Sequence, residues 1–130
     1  MALDPTDLVV IHQLYAAYCH AIDAGDGPTV AACFTPDGTM AGGSPEPVTG
    51  AEALAAFAVS VPQGVPGIRH FLGNVLVEGE GDEAKGAAYL IVLYPNNGQS
   101  SILISGRYQD RLRRTPDGWR FVSREFTIDT

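Results

Sequence analysis

Apolar residues recur at helical spacing over the first part of the chain. Asp4 can cap a helix, and Pro5 would occupy its first position, where the missing N–H costs nothing. We expect this helix to end near the sequence Asp23-Ala24-Gly25. The apolar positions that form its buried face are Leu8, Ile11, Leu14, Tyr15, Tyr18 and Ile22.

A short second helix is predicted from Gly27-Pro28. It would carry Val30 and Phe34 on its apolar face. The sequence Pro36-Asp37-Gly38 is typical of a turn and precedes a possible short strand at residues 39–41.

A third helix follows a loop at residues 42–47. Thr49 and Glu52 have the spacing of a capping box. Leu54, Phe57 and Val61 would face inward, and residues 62–67, which begin with Pro62, are expected to break the helix.

The rest of the chain has the pattern of β-strands. Asn96-Asn97-Gly98 is a strong hairpin signal, with further turns at residues 79–82 and 116–118. The run Ala84–Tyr94 is apolar enough to be covered on both faces. The four predicted strands are Ile68–Glu78, Ala84–Tyr94, Ser100–Arg113 and Trp119–Ile128.

The order of these elements predicts an α+β fold. Three N-terminal helices would pack in a curled, mainly antiparallel sheet, and a cone-shaped pocket would lie between the sheet and the first helix. We expect one domain over residues 1–130.

Composition narrows the function classes. The 130 residues are 45% hydrophobic and 18% charged, with a net charge of −7. This acidity disfavours nucleic acid and anionic membranes as partners. The chain lacks a signal-peptide pattern and a membrane-length apolar run, so a cytoplasmic location is expected. Cys19 and Cys33 fit reduced, buried thiols, and no metal or cofactor motif is found, so we expect no cofactor.

His70, Asp23 and Tyr18 are the candidate catalytic residues. His70 lies on a predicted strand and could move protons near neutral pH, or it could be an ordinary core residue. Asp23 lies where the helix dipole disfavours negative charge, so it could orient His70 or bond the amides of the following turn. Tyr18 could donate to a developing oxyanion or simply pack in the core.

Candidate substrate-binding residues lie on the later strands. Tyr108 shares a predicted face with Ile104 and Leu112, whereas Arg107 shares a solvated face with Arg111. Arg124 is a cation on a partly apolar face, where it could bind an acidic substrate or pair with Asp23. Tyr89 and Trp119 could shape the pocket wall.

Several motifs together resemble the nuclear transport factor 2-like superfamily, and especially its SnoaL-like branch. They cover nearly the whole chain, and this superfamily includes isomerases, dehydratases, cyclases, epoxide hydrolases and non-catalytic proteins. The matching segments are Tyr18-Cys-His-Ala-Ile-Asp23-Ala-Gly-Asp26, Phe34-Thr-Pro-Asp37-Gly38, Gly50-Ala-Glu52-Ala-Leu54, Arg69-His70-Phe71, Gly106-Arg-Tyr108 and Asp117-Gly118-Trp119-Arg-Phe121.

The resemblance implies roles for the candidates. Tyr18 matches the oxyanion-stabilising tyrosine of ketosteroid isomerases, but residues 40–44 lack the carboxylate that is the base of those enzymes. His70 and Asp23 match the catalytic pair of scytalone and bile-acid dehydratases. Tyr89 falls near a second histidine of the scytalone enzyme. Epoxide hydrolases of this fold need a second Asp that is not evident here, and dimerisation through the open sheet face is implied.

These observations predict a cofactor-free lyase or isomerase, of the dehydratase or cyclase type. Its substrate would be an apolar, ring-containing small molecule such as a steroid or polyketide. The alternative is a non-catalytic domain that binds a small molecule or assists a partner enzyme.

Overall fold

The computed structural model describes residues 2–130. Three helices lie against one face of a curled six-stranded sheet, so the predicted α+β class is confirmed. The helices are α1 (Pro5–Ala24), α2 (Gly27–Ala32) and α3 (Ala51–Gly64). The strands are β1 (Phe34–Ala41), β2 (Val48–Thr49), β3 (Arg69–Glu80), β4 (Glu83–Asn96), β5 (Gln99–Thr115) and β6 (Gly118–Ile128).

The sheet has the strand order β2-β1-β6-β5-β4-β3. Neighbouring strands are antiparallel except β1 and β6, which run parallel. The strand β3 is therefore at one edge of the sheet, and α1 packs beside it. This arrangement places the end of the first helix next to the start of the edge strand.

The first helix forms as predicted. The side chain of Asp4 accepts from the backbone N–H of Asp7, and the Asp7 carboxylate accepts from that of Asp4. The helix ends at Gly25, whose φ of 68° is the left-handed conformation that glycine adopts without strain. The Asn97-Gly98 turn is also confirmed, because both residues have positive φ, as a type I′ hairpin requires.

The second and third helices differ from the prediction in detail. Phe34 begins β1 rather than ending α2, and β1 continues through the expected turn at residues 36–38. The irregular pairing of β1 with β6 between Phe34 and Thr39 absorbs the turn-forming sequence. Gly50, rather than Thr49, caps α3, and no side-chain cap bond forms there.

The helix α3 ends at Gly64, inside the segment 62–67 predicted to break it, and Pro62 is tolerated in its last turn. A proline in the last turn forfeits only one helical hydrogen bond. Its ring also lies against Gly25, where a side chain on that residue would collide with it. The packing at the end of α1 therefore accommodates the proline.

The strand β4 is covered on one face only. Its residues alternate strictly between exposed and buried from Glu83 to Val92, so the expected coverage of both faces is wrong. The inner face contributes Leu90 and Val92 to the core, while Tyr89 and Ile91 are exposed on the outer face. Within residues 2–130, no helix is long and apolar enough to cross a membrane.

Candidate functional site

His70 and Asp23 form a direct hydrogen-bonded pair. The Nδ1 of His70 lies 2.7 Å from Oδ1 of Asp23. The backbone N–H of His70 also donates to both carboxylate oxygens, at 3.0 and 3.1 Å. Because an ionised carboxylate only accepts hydrogen bonds, a neutral His70 carries its proton on Nδ1. The lone pair on Nε2 is then available to take a proton.

The position of β3 at the sheet edge explains this pairing. An edge strand has backbone N–H groups that no neighbouring strand can bind. Asp23 lies in the last turn of α1 and satisfies one of these groups at His70. The interaction offsets the unfavourable helix dipole at Asp23. It also fixes the imidazole, because one carboxylate holds both the backbone and the ring of the same residue.

A cavity of about 250 Å³ lies between the helices and the inner face of the sheet, and His70 lines it. Tyr18 and Tyr108 are the other polar side chains in its wall. The remainder is mainly aliphatic or aromatic, including Ile22, Val61, Ile68, Leu90, Val92 and Ile104. The arrangement is a small apolar chamber with three groups able to make hydrogen bonds.

Tyr18 makes only a weak hydrogen bond inside this chamber. Its hydroxyl donates to Sδ of Met40 at 3.1 Å. A thioether sulfur is a poor acceptor, so an oxygen atom of a ligand would be a stronger partner. Burial, followed by the neighbouring Tyr108, holds the pKa of Tyr18 well above its usual range, and Tyr18 therefore stays protonated as a donor.

A wider groove lies on the other side of the pair, between α1 and β3. Its volume is about 970 Å³, and its lining includes His12, His20, Asp23 and His70. The side chains of His70 and Asp23 remain 11% and 12% exposed. His70 thus lines both the small chamber and the open groove, whereas Asp23 lines only the groove.

Arg124 has a different place from the one expected. It pairs with Asp110 instead of Asp23, through Nε at 2.9 Å and Nη2 at 3.1 Å. Tyr15 completes the cluster by donating to Asp110 at 2.6 Å. Both charged side chains are fully buried. Arg124 is therefore not placed to bind an acidic substrate.

A β-bulge turns Arg124 into the core. Arg111 pairs with Ser123 and Leu112 pairs with Phe121, so Val122 is the extra residue on β6. Phe121 and Arg124 consequently both point inward although they are three residues apart. The guanidinium group lies 4.5 Å from the ring centre of Tyr18 and 3.5 Å from that of Tyr108.

Two further predicted wall residues lie away from the chamber. Tyr89 is 63% exposed on the outer face of the sheet, because its position on β4 alternates with the buried Leu90. Trp119 is buried, but its ring N–H donates to Asp7 near the start of α1. The expected placement of both in the pocket wall is corrected, whereas Tyr108 does line the chamber.

Trp119 contacts a charged pair formed by Asp7 and Arg114. Hydrogen bonds from Arg114 and then Trp119 hold the pKa of the Asp7 carboxyl well below its usual range. Arg114 also lies over the indole ring, 4.7 Å from its centre. These contacts tie α1 to β5 and β6.

The remaining histidines and the cysteines do not join the pair. His12 Nδ1 lies 2.8 Å from the carbonyl oxygen of Leu8 on its own helix. Cys19 and Cys33 are free and buried, as predicted, and burial raises the pKa of Cys19 to about 12. In the described part of the chain, no group of three or more His, Cys, Asp or Glu side chains could hold a metal ion.

Sequence reasoning missed Asp110 and Met40. Asp110 alternates with Arg111 and shares the inward face of Tyr108 and Leu112, so its burial was visible in the pattern. An inward carboxylate needs a cation, and that requirement points to Arg124. Met40 carried no comparable signal, because a methionine on a short strand is usually core.

Comparisons with known proteins give a family match and similar structures over nearly the whole chain. The family model for the SnoaL-like domain matches residues 6–125. The structure of Rv3472, a protein of unknown function from Mycobacterium tuberculosis, superimposes with a TM-score of 0.90 and 33% identity, covering 97% of this chain and 78% of that one.

Two structures from Novosphingobium aromaticivorans are also similar. An NTF2-like protein with a cystatin-like fold gives a TM-score of 0.86 at 28% identity, over 95% of this chain and 82% of the other. A proposed scytalone dehydratase gives 0.82 at 19% identity, over 96% of this chain and 85% of that protein. At 19% identity, the second likeness concerns the fold alone.

Proposed function

Because this chain belongs to the SnoaL-like family of the NTF2-like superfamily, we propose that it is a cofactor-free lyase or isomerase that uses acid–base chemistry. The observation that carries the proposal is the 2.7 Å bond between His70 and Asp23 at the wall of an apolar chamber. A base held by a carboxylate beside an apolar chamber is what removal of a proton from carbon requires.

His70 and Tyr18 would share the work in this mechanism. Nε2 of His70 takes a proton from a carbon next to a carbonyl group, and the electron pair of the broken C–H bond moves onto the carbonyl oxygen. The Tyr18 hydroxyl donates to that oxygen in place of Met40. Asp23 holds the reactive tautomer and stabilises the imidazolium that forms.

The fate of the resulting enolate defines the reaction type. If a hydroxyl group lies on the next carbon, protonation of this group by His70 releases water, and the reaction is a dehydration. Return of the proton to another carbon gives an isomerisation, and attack by the enolate carbon on a second carbonyl closes a ring.

The chamber favours a ring-containing apolar substrate. An apolar cavity of about 150 Å³ can hold benzene, and this chamber measures about 250 Å³. It therefore has room for a two-ring fragment, and a larger steroid or polyketide would extend through the mouth. No carboxylate lines the chamber among the described residues, which weighs against an epoxide hydrolase.

Proton exchange tests this proposal without knowledge of the true substrate. Cyclic ketones of one and two rings, such as cyclohexanone and 2-tetralone, are incubated with the protein in D₂O. NMR then measures the loss of the proton next to the carbonyl. We expect exchange above the buffer rate with the native protein and the buffer rate with His70→Ala. His12→Ala, which removes a histidine of the outer groove, is the matched control and should retain exchange. Equal exchange by the native protein and His70→Ala would overturn the mechanism.

The alternative is a binding domain without catalysis, or one that assists a partner enzyme. The same chamber would retain an apolar ligand, and the His70–Asp23 pair would only fix its polar group. In that case the ketones would bind, detectably by calorimetry, but their protons would not exchange. A cytoplasmic location stays a prediction under either function.

We also propose that the protein forms a homodimer through the outer face of its sheet. Phe71, Leu76 and Tyr89 are 69%, 76% and 63% exposed on neighbouring strands. Such a cluster of large apolar side chains is typical of an interaction surface. Sedimentation equilibrium should give twice the chain mass for the native protein and a monomer for Leu76→Glu. A native protein that remains a monomer at high concentration would contradict this assignment.

A further inference from the structure

The chamber contains a second phenol, Tyr108, which the sequence predicted only as a substrate-binding wall residue. Tyr108 lines the chamber with Tyr18, and its side chain is almost completely buried. The two rings meet edge to face, with centres 6.2 Å apart and planes at 82°. Both phenols therefore belong to the same part of the chamber, and both can donate a hydrogen bond.

We propose that Tyr108 is a second oxyanion donor, so that its hydroxyl and that of Tyr18 together bind the oxygen of an enolate-like ligand. This inference rests on the proposed function, because it assumes that the ligand oxygen gains negative charge. Two hydrogen bonds to one charged oxygen stabilise it more than a single donor does. The apolar surroundings strengthen each bond, because the effective dielectric constant there is lower than that of water.

The neighbouring cation supports this role. The Arg124 guanidinium lies 3.5 Å from the ring centre of Tyr108 and 4.5 Å from that of Tyr18. A cation over the face of a phenol draws electron density from the ring, which makes the hydroxyl a better donor. The Nη1 atom of Arg124, which carries two N–H groups, has no hydrogen-bond partner within the described residues, so Asp110 does not consume all of its hydrogen-bonding capacity.

The raised pKa of the buried Tyr108 hydroxyl is consistent with a neutral hydrogen-bond donor. Burial is the largest influence on the Tyr108 hydroxyl and raises its pKa above the usual range, although Arg124 opposes the shift. Tyr108 therefore remains protonated at neutral pH. The Tyr18 hydroxyl is also a neighbour with which it can hydrogen-bond. A ligand oxygen that enters the chamber can accept from both groups.

Binding of 2-naphthol tests the proposal directly. This two-ring phenol fluoresces differently in its neutral and ionised forms, and its anion imitates an enolate. Naphthalene has the same shape without the oxygen and controls for packing. We expect Tyr108→Phe to weaken binding of the naphtholate by about 10-fold or more and to lower the ionised fraction of bound naphthol. Affinity for naphthalene should not change.

Matched variants make the result specific. Tyr18→Phe should have an effect similar to that of Tyr108→Phe, whereas Tyr89→Phe removes a hydroxyl on the outer face and should have none. Near-ultraviolet circular dichroism verifies that each variant is folded. If Tyr108→Phe weakens naphthalene and naphtholate binding equally, or weakens neither, Tyr108 is not an oxyanion donor.

The outcome is separable from that of the proposed function. Naphtholate binding needs the two phenols but no proton transfer by His70. A native protein that binds naphtholate through both tyrosines yet exchanges no ketone protons would retain this inference and lose the catalytic one. Ketone proton exchange that requires His70 and is unaffected by Tyr108→Phe would support the catalytic proposal and overturn the role of Tyr108.

Discussion

Two carboxylates that bind basic side chains occupy different environments in this molecule. Asp23 binds His70 at the border between a chamber and an open groove, with both side chains slightly exposed. Asp110 binds Arg124 in the core, and both side chains are fully buried. An imidazole is a side chain suited to proton transfer, whereas a guanidinium stays charged in proteins. Access and side-chain chemistry together distinguish a pair suited to catalysis from one that supports the fold.

Loss of the buried pair of Asp110 and Arg124, called the sealed pair, should have the largest effect on the free energy of unfolding. Asp110→Ala leaves Arg124 as an uncompensated buried charge, which typically costs about 3–5 kcal/mol in the free energy of unfolding. Urea denaturation measures this loss. Replacing both residues together, as Asp110→Leu with Arg124→Met, should recover much of it because no charge is then buried. A loss below about 1 kcal/mol for Asp110→Ala would mean that the pair is not a structural element.

Changes to the partly exposed pair of Asp23 and His70 should affect activity rather than the free energy of unfolding. Asp23→Asn keeps an acceptor for the His70 backbone N–H, but its amide group can donate to Nδ1 and select the wrong tautomer. We expect ketone proton exchange to fall about 100-fold, with a small change in the urea midpoint. Asp26→Asn is the matched control, because asparagine caps α2 equally well. Full exchange activity in Asp23→Asn would remove Asp23 from the mechanism.

A smaller loss of stability should come from adding a side chain next to the pair of Asp110 and Arg124. A side chain at Gly86 would collide with the Tyr15 hydroxyl, which binds Asp110. Gly86→Ala should therefore reduce the free energy of unfolding by about 1–3 kcal/mol. The same substitution in a Tyr15→Phe background should cost less, because the colliding oxygen is absent. Equal costs in the two backgrounds, measured by urea denaturation, would show that Tyr15 does not transmit the strain.

Local sequence signals predicted those parts of the fold that local physics determines. The Asp4 cap, the Gly25 terminus and the Asn97-Gly98 turn each depend on a few adjacent residues. The end of α3 within residues 62–67 belongs with them. The Thr49 cap was predicted wrongly because the backbone of Thr49 pairs as β2 with Thr39, a contact that local signals do not include.

At the candidate site, too, the sequence predicted the residue types, whereas contacts between distant residues came only from the structure. The side-chain types at His70, Asp23 and Tyr18 suggested acid–base chemistry, but their distances came only from the structure. Alternation placed Tyr108 on an inward face, and the structure agrees. Alternation holds from Arg124 to Phe126, which both point inward, but the bulge at Val122 breaks it before Arg124 and puts Phe121 on the same face. Tyr89 was misplaced because resemblance gives a position along a strand but does not say which face the side chain occupies.

The ring nitrogens of His70 provide the most direct test of the account. Nitrogen-15 NMR of histidine-labelled protein distinguishes a protonated from an unprotonated ring nitrogen. At a pH where His70 is neutral, the account predicts a proton on Nδ1, none on Nε2, and a shift of the Nε2 signal when 2-naphthol fills the chamber. A proton on Nε2 with a bare Nδ1, or an Nε2 signal indifferent to the ligand, would contradict the claim that Asp23 holds His70 as the base of this chamber.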